Sequence, residues 1–123
     1  MKKFFRKLTV ILILLTQIQT VFARELCDCF GDCVQINSRD VSKETKKLVK
    51  VRFGYLPYEK LEIDHKIPLC LGGSNSIDNL QPLSKSAHKL KTEHDLQILY
   101  SVYSCVMTIK EAQQEALNWK NKP

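Results

Sequence analysis

The chain is 123 residues long, with 19 Lys and Arg against 13 Asp and Glu, three His and five Cys. That length accommodates one small domain with a modest core and excludes a second. Lys2, Lys3, Arg6 and Lys7 have no acidic companion before Ala23, so the formal charge of +6 falls by four, to +2, for the rest of the chain, and net basicity is no argument for a nucleic-acid partner.

Residues 1–23 have the pattern of an export signal: four cations, an apolar run from Leu8 to Leu15, then Val21, Phe22 and Ala23. Thr16, Gln17, Gln19 and Thr20 interrupt the run well short of the roughly 20 apolar residues that a spanning helix needs. The expectation is cleavage near Ala23, no stable membrane anchor afterwards, and one domain over residues 24–123 in the periplasm or outside the cell. Oligomeric state leaves no signature in this pattern.

Arg24 to Asn37 holds Cys27, Cys29, Cys33 and Gly31 without a sustained period, which predicts a disulfide-tied loop or short strand at the domain edge. Cys70 and Cys105 also follow Ala23, so all five cysteines fall where an oxidising compartment permits bridges. An odd number leaves at least one without an internal partner. One or two bridges are expected, and the spacing does not specify the pairing. A zinc site from Cys27, Cys29 and Cys33 fits poorly, because the gaps match no usual Cys-x2-Cys knuckle.

Ser42 to Arg52 surrounds Leu48, Val49 and Val51 with Lys and Glu and predicts a short helix. Pro57 then holds Leu56 extended and stops any continuation. Leu61 to Leu71 alternates in part and ends in Gly72-Gly73-Ser74-Asn75, a strand or hairpin arm running into a loop. Asn79 to Leu83 is a second short arm, and Pro82 confines it to an edge. From Ser84 the period turns helical, with Leu90, Leu96, Leu99, Tyr103 and Val106 as the expected apolar stripe and a break near Cys105 to Met107. Thr108 to Glu111 forms a capping box before a last helix that buries Ile109, Ala112, Ala116 and Trp119.

Two basic clusters punctuate these elements. Arg39, Lys43, Lys46, Lys47, Lys50 and Arg52 face only Asp40 and Glu44, and Lys85, Lys89 and Lys91 flank His88. Each could attract a phosphate backbone or simply be a solvated helix face.

The residues with chemistry are Asp64 and His65, side by side, then Asn79 and His88 at 14 and 23 positions beyond His65. His65 suits a general base because an imidazole titrates near neutrality. Asp64 offers a hard oxygen donor and His88 a neutral nitrogen for one divalent cation. Asn79 can pin the Gly72 to Asn75 loop through its amide. Successive side chains on a strand face opposite ways, so a sharp departure from strand geometry is expected at Asp64 and His65. Lys91, Thr92 and Asp95 share the face of His88, with Lys91 placed to touch phosphate and Asp95 to steady the surroundings. His94 lies about 240° around the helix from His88 and is expected to be structural or superficial.

Asp-His followed by Ile-Pro-Leu, Leu-Gly-Gly, Asn-Leu-x-Pro and Ala-His-x-x-Lys resembles the HNH family of metal-dependent nucleases. The resemblance implies a small α+β fold, a ββα-metal finger of strand, loop, strand and helix over about residues 60–95, flanked by helices and stapled by disulfides. It also implies phosphodiester hydrolysis with His65 and Asn79 catalytic and Asp64 and His88 holding one ion. Magnesium or manganese is the first expectation for that ion, with zinc or nickel as alternatives. The substrate implied is DNA, with RNA left open, held with little sequence preference through Lys46, Lys50, Arg52, Lys89 and Lys91. A secreted bacterial subgroup is similar further out, in Tyr55 to Tyr58, Cys105, Glu111-Ala112-Gln113 and Trp119, so the likeness covers roughly Val51 to Lys120. Gln81 departs from it where such relatives carry Trp, and the paired Cys-x-x-Cys motifs that hold structural zinc in many HNH proteins are absent. The rival expectation is a non-catalytic secreted module that binds nucleic acid or protein on the same scaffold.

Overall fold

The structure, a computed structural model, describes residues 24–119; the export signal expected over residues 1–23 lies outside them. Strand β1 (Glu25–Cys27) pairs antiparallel with β2 (Cys33–Gln35), placing Leu26 opposite Val34 and Cys27 opposite Cys33. Cys27 and Cys33 are bonded to each other, while Cys29 reaches across 76 residues to Cys105. Cys70 is the free thiol. Closing so long a loop typically contributes about 2–4 kcal/mol, which matters to a domain this small.

Helix α1 (Lys43–Arg52) starts where the Ser42 hydroxyl accepts a hydrogen bond from the Thr45 amide. Strand β3 (Glu62–His65) pairs antiparallel with β4 (Leu80–Leu83), Asp64 opposite Gln81 and His65 opposite Leu80. Pro82 sits in β4, permitted there because a two-stranded ribbon has only edge strands. Helix α2 (Lys85–Tyr103) follows with Ser84 as its cap, and α3 (Ile109–Leu117) opens on the expected Thr108–Glu111 capping box.

Two apolar clusters form the core of the described residues, one of them including the β3–β4 ribbon. Ile63 and Leu80 face Val49 of α1, with Val41 and Ile77 at the margin. The larger cluster joins Leu26, Leu71, Ile98, Val102, Ile109, Ala112 and Ala116 where the β1–β2 hairpin, α2 and α3 meet. Between the ribbon's strands the chain folds tightly back on itself at two glycines. A Cβ on Gly73 would stand 1.9 Å from the Ile67 carbonyl oxygen, and Gly72 has φ +83° with Val34 packed against it. The result is the expected α+β arrangement of strand, loop, strand and helix.

Two expectations fail. The stripe foreseen for α2 is turned outward: Leu90, Leu96, Tyr103 and Val106 are all exposed, and only Leu99 is partly covered. The buried face is Ala87, Lys91, Asp95, Ile98 and Val102, a regular helical stripe in which a lysine and an aspartate replace apolar residues. The bend expected at Asp64 and His65 is also absent, since both lie within β3 in regular ladder register. Glu62 and Asp64 therefore share one face of the ribbon, and Ile63 and His65 share the other. In α3, Ile109, Ala112 and Ala116 are buried as expected, with Trp119 only half covered.

Asp28 fastens the hairpin to α3. Its carboxylate accepts hydrogen bonds from the Ile109 amide at 2.9 Å and from the Phe30 and Asp32 amides at 2.9 and 3.0 Å. The Ile109 bond is foremost in holding its carboxyl below the ordinary 3.8. A depressed folded-state value means that the unfolded chain takes up the proton first, so this stabilisation is complete above about pH 4 and disappears as pH falls through the folded value. Urea midpoints measured from neutral pH downward should therefore fall more steeply for the wild type than for Asp28→Asn. Parallel curves would show that Asp28 carries no such linkage.

Candidate functional site

Asp64 and His88 come together from β3 and α2, with His88 Nε2 at 3.5 Å from Asp64 Oδ1. Glu62, on the same ribbon face, contacts the other ring nitrogen, His88 Nδ1. With the imidazole neutral, that carboxylate takes the Nδ1 hydrogen and turns the Nε2 lone pair toward Asp64. Asp64 Oδ2 is buried and has no hydrogen-bond partner among the described residues. An orphaned buried acceptor costs about 1–3 kcal/mol, and here a second lone pair faces the same carboxylate.

This donor set fits a divalent cation: one carboxylate oxygen without a partner, one oriented imidazole nitrogen, and a second carboxylate fixing that imidazole from behind. Another grouping, Glu25, Cys27 and Cys33, also has donor atoms within 4.8 Å of one another. Its two sulfurs are bonded to each other, so no thiolate remains there to ligate.

His65 lies on the opposite ribbon face and is only 4% exposed. Its Nε2 meets Asn75 Oδ1 at 3.0 Å. Burial is the main influence lowering its pKa below 6.5, Arg39 and Lys91 push the same way, and the Asn75 bond and Asp64 oppose them. Asn79 ties the loop as expected. Its Oδ1 accepts from the Ile67 amide at 2.9 Å, and its Nδ2 donates to the Ile67 and Ser74 carbonyls at 3.0 and 2.9 Å. Glu62 and Asn75 were not singled out in the sequence, because a lone carboxylate and a loop amide have no periodic or spacing signal of their own.

The basic residues divide. Arg39, Lys46 and Lys50 line a cleft of about 290 Å³ with Leu61, Glu62, Ile63 and His88. Lys85, Ser86 and Lys89 line a second, of about 640 Å³, with the same Glu62 and His88. The two hollows thus meet at Glu62 and His88, while Asp64 lines neither. Arg39 also donates to the Ile63 carbonyl, and Lys50 Nζ donates to the Glu59 carbonyl at 2.6 Å. Arg52 pairs with Asp78 at 2.6 Å and lines neither cleft.

Lys91 is not a phosphate contact. It is wholly buried, and its ammonium donates to both Asp95 oxygens at 2.6 Å, because its place on α2 falls on the inward stripe. Burial pushes the Asp95 carboxyl up, and Lys91 opposes that shift. His94 turns toward α3, with Nε2 3.5 Å from Glu115 Oε1, away from His88 as expected. Lys91→Met alone should cost about 3–5 kcal/mol in urea unfolding by stranding a buried carboxylate, whereas Lys91→Met with Asp95→Leu should recover most of it. A single variant as stable as the wild type would contradict this pairing.

Against known proteins, no curated protein and no solved structure matches the chain. Residues 46–94 match the family model described as HNH endonuclease, a segment running from mid-α1 to mid-α2. It contains Glu62, Asp64, His65, Asn75, Asn79 and His88, held on strand, loop, strand and helix. By that match and that arrangement, the chain carries an HNH-family domain over residues 46–94.

Proposed function

We propose that this protein is an exported, metal-dependent endonuclease that hydrolyses phosphodiester bonds of DNA, and of RNA where presented, with low sequence specificity. The observation that carries the reading is the Asp64–His88 pair, two donors aimed at each other with Asp64 Oδ2 unsatisfied, inside the segment matched to HNH endonuclease.

In this reading Asp64 and His88 hold one divalent ion, magnesium or manganese before zinc or nickel. Such an ion supplies charge stabilisation at the leaving oxygen. Glu62 keeps His88 in the ligating tautomer. His65 takes the proton of the attacking water, and the lowering of its pKa keeps the ring neutral and able to do so. Asn79 holds the loop that frames His65. Arg39, Lys46, Lys50, Lys85 and Lys89 receive the phosphate backbone along the two clefts. Cations without a base-reading amide position a duplex and do not select its sequence.

The leader over residues 1–23 and the two bridges at Cys27–Cys33 and Cys29–Cys105 support export to an oxidising compartment. Among the described residues no helix is long and apolar enough to cross a membrane.

A second reading, a non-catalytic binding module, is favoured by one observation, the near-complete burial of His65. Plasmid incubated with the protein and Mg²⁺ or Mn²⁺ separates them. The nuclease reading expects nicked and linear products, with the rate reduced about 10²- to 10⁴-fold in His65→Ala and strongly reduced in His88→Ala. Equal rates in wild type and both variants would end it, and retention of plasmid without cleavage under any metal would favour the binding module.

A further inference from the structure

We infer that Asn75 is a positioning residue that fixes the His65 ring as its Nε2–H tautomer and leaves Nδ1 as the atom free to accept a proton. The catalytic consequence rests on His65 being the base proposed above; the tautomer itself does not.

The amide's orientation follows from its partners. Asn75 Nδ2 lies 2.8 Å from the Ser38 carbonyl oxygen, which can only accept. Asn75 Oδ1 lies 3.3 Å from the Asp40 amide, which can only donate. The oxygen is thereby the atom turned to His65, 3.0 Å from Nε2. An amide oxygen has no hydrogen to give, so Nε2 must carry one. Among the described residues His65 Nδ1 has no hydrogen-bond partner, so none of them competes for its lone pair.

The loop bearing Asn75 is held from both sides. Asn37 Nδ2 donates to the Gly73 carbonyl at 3.1 Å, and Asn79 Nδ2 donates to the Ser74 carbonyl. Gly73 leaves no room for a side chain against Ile67. Asn75 is thus a fixed acceptor, and a ring with one nitrogen anchored to a fixed acceptor has both its tautomer and its tilt decided. The same amide joins His65 to residues 38–40, directly beside Arg39 of the basic cleft, so the base and the phosphate-facing edge share one support.

The test uses the full chain with ¹⁵N-labelled histidine and long-range ¹H–¹⁵N correlation at about pH 8, where an imidazole is mostly neutral. The His65 signals are identified by their loss in His65→Gln. The wild type should show the pure Nε2–H pattern. Asn75→Ala should show exchange between both tautomers, with kcat on plasmid reduced about tenfold or more and KM changed by less than about twofold. Asn75→Asp keeps an oxygen for Nε2 but cannot donate to Ser38; it should keep the Nε2–H pattern and restore most of kcat. It also carries the test if the alanine variant does not fold. A wild-type Nδ1–H pattern, or an unchanged single tautomer in Asn75→Ala, would overturn the inference. If the tautomer behaves as stated but no form of the protein cuts DNA, the positioning role stands and the nuclease reading falls.

Discussion

With His88 neutral and its Nδ1 hydrogen directed to Glu62, the Nε2 lone pair faces the Asp64 carboxylate at 3.5 Å, a repulsive juxtaposition, and the ββα unit brings these two groups together. Glu62 occupies the other ring nitrogen of His88, so a neutral imidazole that keeps this bond has no hydrogen to turn toward Asp64. Asp64 Oδ2 finds no donor among the described residues. A cation between the two donors would satisfy both.

The rest of the fold maintains that proximity. Strand β3 presents Glu62 and Asp64 on one face, and α2 places His88 over them through the Ser84 cap and the Ala87 contact. One turn further, the Lys91–Asp95 pair fills the inner face of α2 where two apolar residues would ordinarily sit. Its partners are interdependent, since losing either strands a buried charge. On the opposite ribbon face, Val49 of α1 covers Ile63 and Leu80. The disulfide-tied hairpin closes the far end, where Asp28 and Cys29 bind it to α3 and to the end of α2. Much of the structure that supports the site thus lies outside residues 46–94, the segment matched to the family.

How much of this was legible in the sequence follows from the range of the interactions involved. Ser42, Ser84 and the Thr108–Glu111 box mark helix starts through bonds three residues away, so local sequence reveals them. Asp64, Asn79 and His88 were legible because their residue types and order are specific together, though not singly. The buried stripe of α2 was hidden because Lys91 and Asp95 look like surface residues until paired. The regular geometry at Asp64 and His65 was misjudged because two functional neighbours were expected to share a face. The disulfide map and the Asn75 bridge depend on contacts between segments distant in sequence, such as Cys29 with Cys105 and Asn75 with Ser38, and no local pattern records them.

Calorimetric titration of Mn²⁺ into the metal-free protein tests the Asp64–His88 pair most directly, because it reads the site without requiring catalysis. One ion per chain should bind to the wild type and to His65→Ala, and the binding heat should vanish in Asp64→Ala and in His88→Ala. Undiminished Mn²⁺ binding after loss of the Asp64 carboxylate would contradict the assignment of this pair as the metal site.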